Sequence, residues 1–448
     1  MSTSRTLRTG LIAGVVTASM LGTNLARAAS VTPDWATKYP AAVLLANATS
    51  SDGSEVFATG WIGTGATRTF LTIAYDGATG GQLWAKTYGG GQQDQGSSVA
   101  VSPDGSMVYV AGSHTVDEAT LDLDWATVAY DASNGDVRWS RTYDAPAVDE
   151  SEDRASAVLA APNGLVYVTG QKVTGDGHRD FRTAAYEGST GATRWSAVTR
   201  PGSGLGLALS PDGSTLVVRG NYAGNLIGTV TYNALTGVQG WWRAWNGPDN
   251  IQALSRDVVF TPDGKHILSA GIVATSDGGY DYALLRYGAA DGVFYWARRY
   301  RGVPGYSEDF LTSIAMAPDG ATVFVTGYGS KGTDTADYAT VAYDPDSGVQ
   351  KWVKRFNAGG TDQAESIAVD PTGAKVYVSG QSEGTVSGFD FVTLTYDAST
   401  GAKLDSWRYT PGSDVADLTL VNGSLVISGL GSSGGDPSGA GLTARLPT

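Results

Sequence analysis

Histidine and cysteine, which supply many nucleophiles, bases and metal ligands in proteins, are scarce in this chain. The sequence contains no cysteine and only three histidines, His114, His178 and His266. Thiolate nucleophiles and thiolate metal sites are therefore excluded. Both His114 and His178 lie in acidic stretches, so either is a candidate general base for a lyase or hydrolase that acts on an extracellular polysaccharide. The alternative is that both are solvent-exposed loop residues without a catalytic role.

Four aspartates share one position relative to a following turn. Asp94, Asp153, Asp309 and Asp362 each lie nine residues before the first residue of a Pro-Asp-Gly-type turn. A partial ring of such carboxylates would offer the hard oxygen ligands that Ca²⁺ prefers. Alternatively, each aspartate accepts hydrogen bonds from a neighbouring loop and caps its own strand. Repetition in register favours this second interpretation, because a residue that maintains a fold also recurs in register.

These positions belong to a repeat that covers most of the chain. The pattern Tyr-Asp-x-x-Thr-Gly, followed by a strand with tryptophan, occurs in seven copies near 50 residues apart. The tyrosines are Tyr75, Tyr130, Tyr186, Tyr232, Tyr287, Tyr343 and Tyr396, and the tryptophans are Trp84, Trp139, Trp195, Trp242, Trp296, Trp352 and Trp407. Eight turns of the Pro-Asp-Gly type alternate with this pattern. Such turns join antiparallel strands, because glycine readily adopts positive φ.

Each repeat therefore contains four short strands, which we call a, b, c and d. In one repeat we predict them at Ser97–Ser102, Met107–Gly112, Trp125–Tyr130 and Val137–Tyr143. The apolar residues alternate with small or polar ones, as in half-buried antiparallel strands, and no long stretch has helical periodicity. Four antiparallel strands in about 50 residues are typical of a propeller blade. The predicted fold is all-β, an eight-bladed β-propeller.

The two ends of the repeat region predict how the eighth blade forms. The C-terminal part offers only strands a, b and c, at Leu418–Leu420, Leu425–Gly429 and Leu442–Leu446. An isolated tryptophan strand, Trp35–Tyr39, stands near the N-terminus. We predict that this strand completes the last blade, because an open ring would leave unpaired strand edges.

The repeated residues carry a family resemblance. The pattern Tyr-Asp-x-x-Thr-Gly-x-x-x-Trp resembles the repeats of quinoprotein (PQQ-like) propellers, and Trp352–Gly380 is similar to the bacterial SBBP-type repeat. The resemblance covers residues 31–448 and implies the propeller fold. It also brings a PQQ-dependent dehydrogenase into consideration. The vicinal cysteine pair that covers the quinone in that family cannot exist here, and the long covering insertions are missing, so PQQ is not the expected cofactor.

Residues 1–28 resemble a bacterial export signal, which leaves residues 29–448 for the propeller. Arg5 and Arg8 precede an apolar stretch, and Ala26–Ala28 supplies the small residues of a cleavage site. The formal charge of the chain is −14, and without Arg5, Arg8 and Arg27 it is −17. This charge disfavours nucleic acids and anionic membranes as partners, and no later segment is apolar enough to insert into a membrane. We expect a secreted or cell-surface monomer.

Acidic residues crowd the d–a and b–c loops, which emerge on one face of a propeller. The evenly short loops favour a non-catalytic binding or scaffold module that uses this face to bind an extracellular protein or carbohydrate. The polysaccharide-acting enzyme and the PQQ-dependent dehydrogenase are the alternatives. Four tryptophans outside the repeat register are candidate ligand platforms, namely Trp61, Trp125, Trp241 and Trp245.

Overall fold

The computed structural model describes residues 29–30, 33–63, 67–117, 122–143, 152–174, 177–199, 201–223, 225–302, 307–331, 335–384, 388–410, 415–421, 423–433 and 436–446. Every regular element in these segments is a β-strand. None of them contains a helix long and apolar enough to cross a membrane. The predicted export signal, residues 1–28, lies outside the described residues.

The strands form eight four-stranded antiparallel blades, and we number the blades along the chain and name their strands a to d. In the order a to d, the strands of blade 1 are Ala42–Thr49, Glu55–Ile62, Thr69–Asp76 and Gln82–Tyr88, and those of blade 2 are Gln95–Val101, Met107–Asp117, Asp122–Asp131 and Val137–Tyr143. Those of blade 3 are Arg154–Ala160, Leu165–Val173, Arg179–Glu187 and Thr193–Thr199. Those of blade 4 are Gly202–Leu209, Thr215–Tyr222, Leu226–Asn233 and Gln239–Trp245. Those of blade 5 are Ala253–Phe260, His266–Ala274, Tyr280–Gly288 and Phe294–Tyr300. Those of blade 6 are Ser307–Met316, Val323–Lys331, Asp337–Tyr343 and Gln350–Phe356. Those of blade 7 are Asp362–Val369, Lys375–Gly384, Gly388–Asp397 and Lys403–Tyr409. Blade 8 comprises Val415–Val421, Ser424–Ser433, Asp436–Leu446 and Trp35–Pro40.

Blade 8 is assembled from both ends of the repeat region, as the sequence predicts. Its strand d, Trp35–Pro40, pairs antiparallel with strand c, from Trp35 opposite Arg445 to Pro40 opposite Ala440. Its strand a also contacts strand a of blade 1. A further two-residue strand, Ala29–Ser30, pairs with strand d of blade 7. One parallel bridge, between Tyr280 and Glu308, links blades 5 and 6.

A β-bulge occurs at the same point in strand a of every blade. Opposite each bulge the register with strand b shifts by one residue, which bends the strand and increases its twist. We call the residue after each shift the post-bulge position; its occupants are Ala46, Ser98, Ala157, Gly206, Asp257, Ser313, Ser366 and Asp417. The strand b residues paired with them are Thr59, Ala111, Thr169, Arg219, Ala270, Thr326, Ser379 and Ser428. The post-bulge position is small or hydroxylated except in blades 5 and 8.

A repeated contact between tryptophan and glycine joins neighbouring blades. In seven junctions a strand d tryptophan donates its indole N–H to a carbonyl of the next blade's c–d loop, at 2.6–3.0 Å. The glycine of that loop has φ near +70° and lies against the indole, so that a Cβ would come within 2.5–3.0 Å of the ring. Trp35 makes this contact with Gly77 and Gly80 across the junction of blades 8 and 1. The repeated tryptophan and the repeated glycine are therefore the two halves of one interface.

Two of the tryptophan assignments made from the repeat pattern are wrong. In blade 4 the contact is made by Trp241, which donates to the carbonyl of Ala289, whereas Trp242 is 42% exposed. In blade 7 the position is held by Asp405, and Trp407 lies two residues farther along the strand. Trp407 donates its indole N–H to Asp405 of its own strand at 3.1 Å. The c–d loop that would receive it does not exist, because strands c and d of blade 8 come from opposite ends of the chain.

Candidate functional site: the loop face and the central channel

The four aspartates proposed as calcium ligands lie where the sequence places them, at the starts of the strands a of blades 2, 3, 6 and 7. Their side chains are almost completely buried; the residues are Asp94, Asp153, Asp309 and Asp362. Each carboxylate accepts backbone N–H groups from nearby chain. Asp153 accepts from Val173 at 2.6 Å, Asp309 from Gly302 at 2.8 Å, and Asp362 from Ala358 at 2.7 Å. These bonds attach loops to the inner strands.

Asp94 has hydrogen-bond partners on both of its carboxylate oxygens. Its Oδ2 accepts hydrogen bonds from the N–H groups of Gly90 and Gly91, at 2.8 and 2.9 Å. Its Oδ1 accepts the N–H of Thr115 at 2.6 Å and lies 3.3 Å from Nδ1 of His114. Burial alone would raise the pKa of Asp94, but these hydrogen bonds outweigh burial and lower it. The carboxylate therefore stays ionised while it organises the d–a loop.

Among the described residues, no group of three or more His, Asp or Glu side chains is placed to hold a metal ion. Calcium binding by the four aspartates remains a prediction. Titration calorimetry of residues 29–448 with Ca²⁺ tests it. Heat of binding together with a higher melting temperature would support the site, and the lack of both would end the hypothesis.

His114 lies in strand b of blade 2, because that strand continues to Asp117, beyond the predicted end at Gly112. The half-buried ring packs against Tyr88 and faces Asp94. The hydrogen bond to Asp94 raises the pKa of His114 above its usual value. The carboxylate of Asp94 therefore stabilises the protonated form of the ring with which it pairs.

The second histidine candidate lies apart from this pair. His178 is exposed at the b–c turn of blade 3, where its carbonyl accepts the N–H of Thr174 at 2.8 Å. His266 starts strand b of blade 5 and lies 3.1 Å from Nη2 of Arg286. Burial and the nearby Arg286 lower the pKa of His266. The two histidine candidates remain predictions.

Aspartates near the start of strand c pair with arginines of strand d in three blades. Arg408 contacts Asp390 at 2.8 Å, Arg299 contacts Asp281 at 3.6 Å, and Arg355 contacts Asp337 at 3.8 Å. These three aspartates therefore join strands c and d.

The tryptophans proposed as ligand platforms have different surroundings. Trp125 is only 1% exposed and packs beside Arg182, and Trp241 belongs to the blade junction. Neither therefore offers a free surface to a ligand. Trp61 is half-buried under the guanidinium of Arg68, and Trp245 borders a shallow groove at the outer edge of blades 4 and 5. These two remain candidates.

The charged groups of the central channel were not among the residues predicted from the repeats. A cavity of about 610 Å³ is lined by strands a of six blades together with Arg219, Asp257 and Asp417. Burial raises the pKa of Asp257 and raises that of Asp417 to about 6, and burial lowers the pKa of Arg219 to about 10. The signal was present in the repeats: arginine stands before the strand b glycine, Gly220, where other blades have threonine, serine or alanine. The second deviation from the repeat is an aspartate at the post-bulge position of blades 5 and 8, Asp257 and Asp417.

The two channel aspartates also link neighbouring blades. Asp257 accepts the N–H of Ile314 in blade 6 at 3.0 Å, and Asp417 accepts the N–H of Asn47 in blade 1 at 2.9 Å. Ser98 plays the same part between blades 2 and 3, with the N–H of Val158 at 3.2 Å. A polar side chain at the post-bulge position thus satisfies an amide of the next inner strand.

Comparisons with known proteins agree with this architecture. The sequence matches the PQQ-like repeat family described as outer membrane protein assembly factor BamB over residues 70–262 and 179–433. The chain belongs to this family. No curated protein matches it. The PQQ-like propeller is therefore assigned on the family match and the blades themselves.

Solved propellers of low sequence identity share the fold of this PQQ-like propeller. Sqt1 of Chaetomium thermophilum, bound to the N-terminus of the ribosomal protein L10, has a TM-score of 0.62 and 11% identity over 92% of this chain and 98% of that chain. Quinohemoprotein alcohol dehydrogenase from Comamonas testosteroni has a TM-score of 0.58 and 13% identity, and the match covers 92% of this chain and 76% of that chain. The Dos1 propeller has a TM-score of 0.58 and 10% identity, and the match covers 92% of this chain and 94% of that chain. These similarities show the fold alone.

The family name raises the question of whether PQQ, a planar quinone with three carboxylates, fits the channel. The described residues that line the cavity are short aliphatic or polar side chains and include no aromatic ring for stacking. Asp257 and Asp417 would face a polyanion with Arg219 as the cation that lines the same cavity. The lining therefore does not fit PQQ, and no chemical step is assigned to it.

Proposed function

We propose that this protein is an exported, non-catalytic propeller that binds a basic protein segment through the face formed by its d–a and b–c loops. We call this the acidic loop face. Its exposed carboxylates in the described loops are represented by Glu152, Asp277 and Glu383. The negative charge of the whole chain attracts cationic segments and speeds their encounter with the protein.

The observation that carries the proposal is a difference between the acids of the two faces. On the opposite face the acids are repeated turn caps: Oδ1 of Asp76, for example, accepts the N–H groups of Ala78 and Thr79. Such acids follow from turn chemistry and recur from blade to blade. On the acidic loop face the exposed acids differ between blades, so the repeat itself does not require them. Residues that a repeat does not require are the ones available for recognition.

The fold neighbours support a protein rather than a small substrate as the partner. Sqt1 was solved bound to the N-terminus of a ribosomal protein, which shows that a propeller of this shape can hold a peptide segment. The surroundings of the catalytic candidate His114 support the same choice. Its ring faces Asp94, a carboxylate that already accepts the backbone N–H groups of Gly90, Gly91 and Thr115.

The experiment compares two triple variants with the same change in net charge. The test variant is Glu152→Gln, Asp277→Asn and Glu383→Gln on the acidic loop face. The control variant carries Asp136→Asn, Glu187→Gln and Asp291→Asn on the opposite face. Each set removes two acids that are ion-paired and one that accepts a backbone N–H, at 2.8–3.5 Å, so the two sets are matched.

Binding of a lysine-rich peptide, of its glutamate-substituted counterpart and of neutral glycans is measured by fluorescence anisotropy or glycan array. We expect the wild type to bind the lysine-rich peptide and the test variant to bind it roughly three- to tenfold more weakly, since each exposed pair contributes little. The control variant should bind like the wild type. Equal loss in both variants, or preference for the glycans, would contradict the proposed partner and face.

Export is the second element of the proposal and is supported by the sequence of residues 1–28. Expression of the full chain in a bacterial host, followed by fractionation and N-terminal sequencing, tests it. We expect an extracytoplasmic protein that begins at Ala29. A cytoplasmic protein that retains Met1 would refute export and leave the binding experiment unaffected.

A further inference from the structure

A buried arginine ties blade 5 to the c–d loop of blade 6. Arg286 stands in strand c of blade 5 and is only 5% exposed. Its Nη1 donates to the carbonyls of Pro345 and Asp346, at 2.9 and 2.6 Å. Its Nη2 donates to the carboxylate of Asp346 at 2.8 Å. Three hydrogen bonds from one side chain therefore hold a loop of the neighbouring blade.

The same arginine faces a histidine. Nδ1 of His266, the first residue of strand b, lies 3.1 Å from Nη2 of Arg286. A guanidinium has only donors, so Nδ1 is the acceptor and the ring is neutral, with its hydrogen on Nε2. Burial and the positive charge of Arg286 lower the pKa of His266, in agreement with this assignment. The ring of Tyr295 packs beside both groups, 5.3 Å from the imidazole centroid and 5.3 Å from the guanidinium carbon.

Blade 8 contains the same contact without a titrating acceptor. Arg445 occupies the register position of Arg286, opposite the junction tryptophan of strand d. Its Nη2 donates to Oγ of Ser424 at 2.6 Å, and its Nη1 donates to the carbonyl of Gly77 in the c–d loop of blade 1 at 2.6 Å. Ser424 stands where blade 5 has His266. A hydroxyl accepts this bond at any pH, whereas an imidazole accepts it only while the ring is neutral.

Carboxylates lie near the same histidine. His266 lines a cavity of about 170 Å³ on the face opposite the acidic loop face. Besides Arg286, the charged groups near the ring are those of Asp263, Lys265, Asp319 and Asp346. Protonation of Nδ1 would set two N–H groups against each other, 3.1 Å apart, and bring two positive charges together. A charged ring therefore has better partners among the carboxylates of the cavity than at the arginine.

We propose that His266 and Arg286 form an acid-sensitive latch between blades 5 and 6. At neutral pH the uncharged ring accepts a hydrogen bond from the arginine, and the arginine holds the c–d loop of blade 6, residues 344–348. On acidification the charged ring leaves Arg286 for the carboxylates of the cavity, Asp346 among them, and the loop loosens. The latch is separate from the acidic loop face, so it stands whether or not the proposed protein partner is correct.

Hydrogen–deuterium exchange at pH about 5 and about 7.5 tests the latch, with each rate corrected for that of unstructured peptide at the same pH. We expect residues 344–348 to exchange at least about threefold faster at the acidic pH. The corresponding loop of blade 1, residues 76–80, is the internal control, because the serine that contacts Arg445 does not titrate. Its corrected rate should be the same at both pH values. Equal rates in the loop of blade 6, or an equal rise in both loops, would overturn the proposal.

Two substitutions taken from other blades separate the parts of the latch. His266→Ser installs the acceptor of blade 8, so exchange of the blade 6 loop should no longer depend on pH. Arg286→Thr installs the residue of blades 4 and 7, Thr231 and Thr395, and should speed exchange of the loop at both pH values, because the tie is lost.

Stability gives a second readout that needs no loop signal. Because folding lowers the pKa of His266, the wild type should lose melting temperature relative to His266→Ser as the pH falls below the usual histidine value. A His266→Ser variant that keeps the acid response of the loop, or an Arg286→Thr variant with wild-type exchange, would refute the latch.

Discussion

Substitution of Trp35 by alanine should weaken the junction where the two ends of the repeat region meet. The ring is 7% exposed, donates to the carbonyl of Gly77 at 3.0 Å and lies against Gly80. Removal of a buried tryptophan costs about 3–5 kcal/mol. The carbonyl of Gly77 still accepts Nη1 of Arg445 at 2.6 Å, so no acceptor is left unsatisfied and the lower part of that range is expected.

Trp139→Ala is the matched control, because this tryptophan makes the same contacts between blades 2 and 3. Its indole donates to Gly188 at 2.6 Å, and its ring lies against Gly191. Both variants should lose similar free energy of unfolding in denaturant titrations. Blades 2 and 3 are joined by continuous chain, however, whereas strand Trp35–Pro40 is held to the rest of blade 8 by noncovalent contacts alone. Only the Trp35 variant should therefore allow that strand to detach before the protein unfolds.

Hydrogen–deuterium exchange distinguishes the two variants. We expect faster exchange in Trp35–Pro40 and in its partner Asp436–Leu446 for Trp35→Ala, with little change there for Trp139→Ala. The reasoning that blade 8 is the weakest part of the ring would be refuted by either of two results. In one, exchange in blade 8 of the Trp35 variant equals that of the wild type; in the other, exchange there increases equally in both variants.

Three further predictions follow from the contacts. Gly135→Ala should destabilise the protein by about 1–3 kcal/mol more than Gly105→Ala in chemical denaturation, because both glycines have φ near +70° but only a Cβ at Gly135 would meet an indole ring. Trp242→Ser should cost about 1–2 kcal/mol by the same assay, less than a buried tryptophan of a blade junction, since the ring is 42% exposed and packs on Tyr222 with ring centroids 4.8 Å apart. Because Asp94 raises the pKa of His114, the pair stabilises the folded state below the unfolded pKa, and this stabilisation is lost as the pH rises through the folded pKa. Thermal unfolding should therefore show a larger gap between the wild type and His114→Gln at pH about 5.5 than at pH about 8.5, and a gap independent of pH would contradict this pairing.

The fold could be predicted from the sequence because each repeated motif has a local physical cause. Turns of the Asp-Gly type need positive φ, and strands between them alternate apolar and polar residues, so strand number and order follow without long-range information. The pairing of Trp35 with the C-terminal strand followed from counting. The exact register did not follow: Trp241 and Trp242 are adjacent, and sequence alone gave no reason to prefer the one that meets Gly292.

The candidate site was harder to predict for a related reason. A search for what the repeats share finds residues that maintain the fold, such as Asp94 and the glycines of the loops. Arg219, Asp257 and Asp417 are deviations from the repeat, and they come together only because three different blades face one channel. The place of His114 in a strand was also missed, because strand b of blade 2 continues beyond its glycine into a polar stretch.

The assembly of blade 8 from both ends of the repeat region has a consequence for how the strands are connected. Leu446 and Trp35 stand where every other blade has a short c–d loop, since Trp35 pairs with Arg445. A circular permutant that joins these two ends by a Tyr-Asp-x-x-Thr-Gly-type loop, and is cut instead between Asp131 and Val137, would retain all strand pairings within the eight blades and lose only the pairing of Ala29–Ser30 with blade 7. The architecture therefore has no privileged starting blade, and the present order of the strands along the chain is one of several that give the same ring.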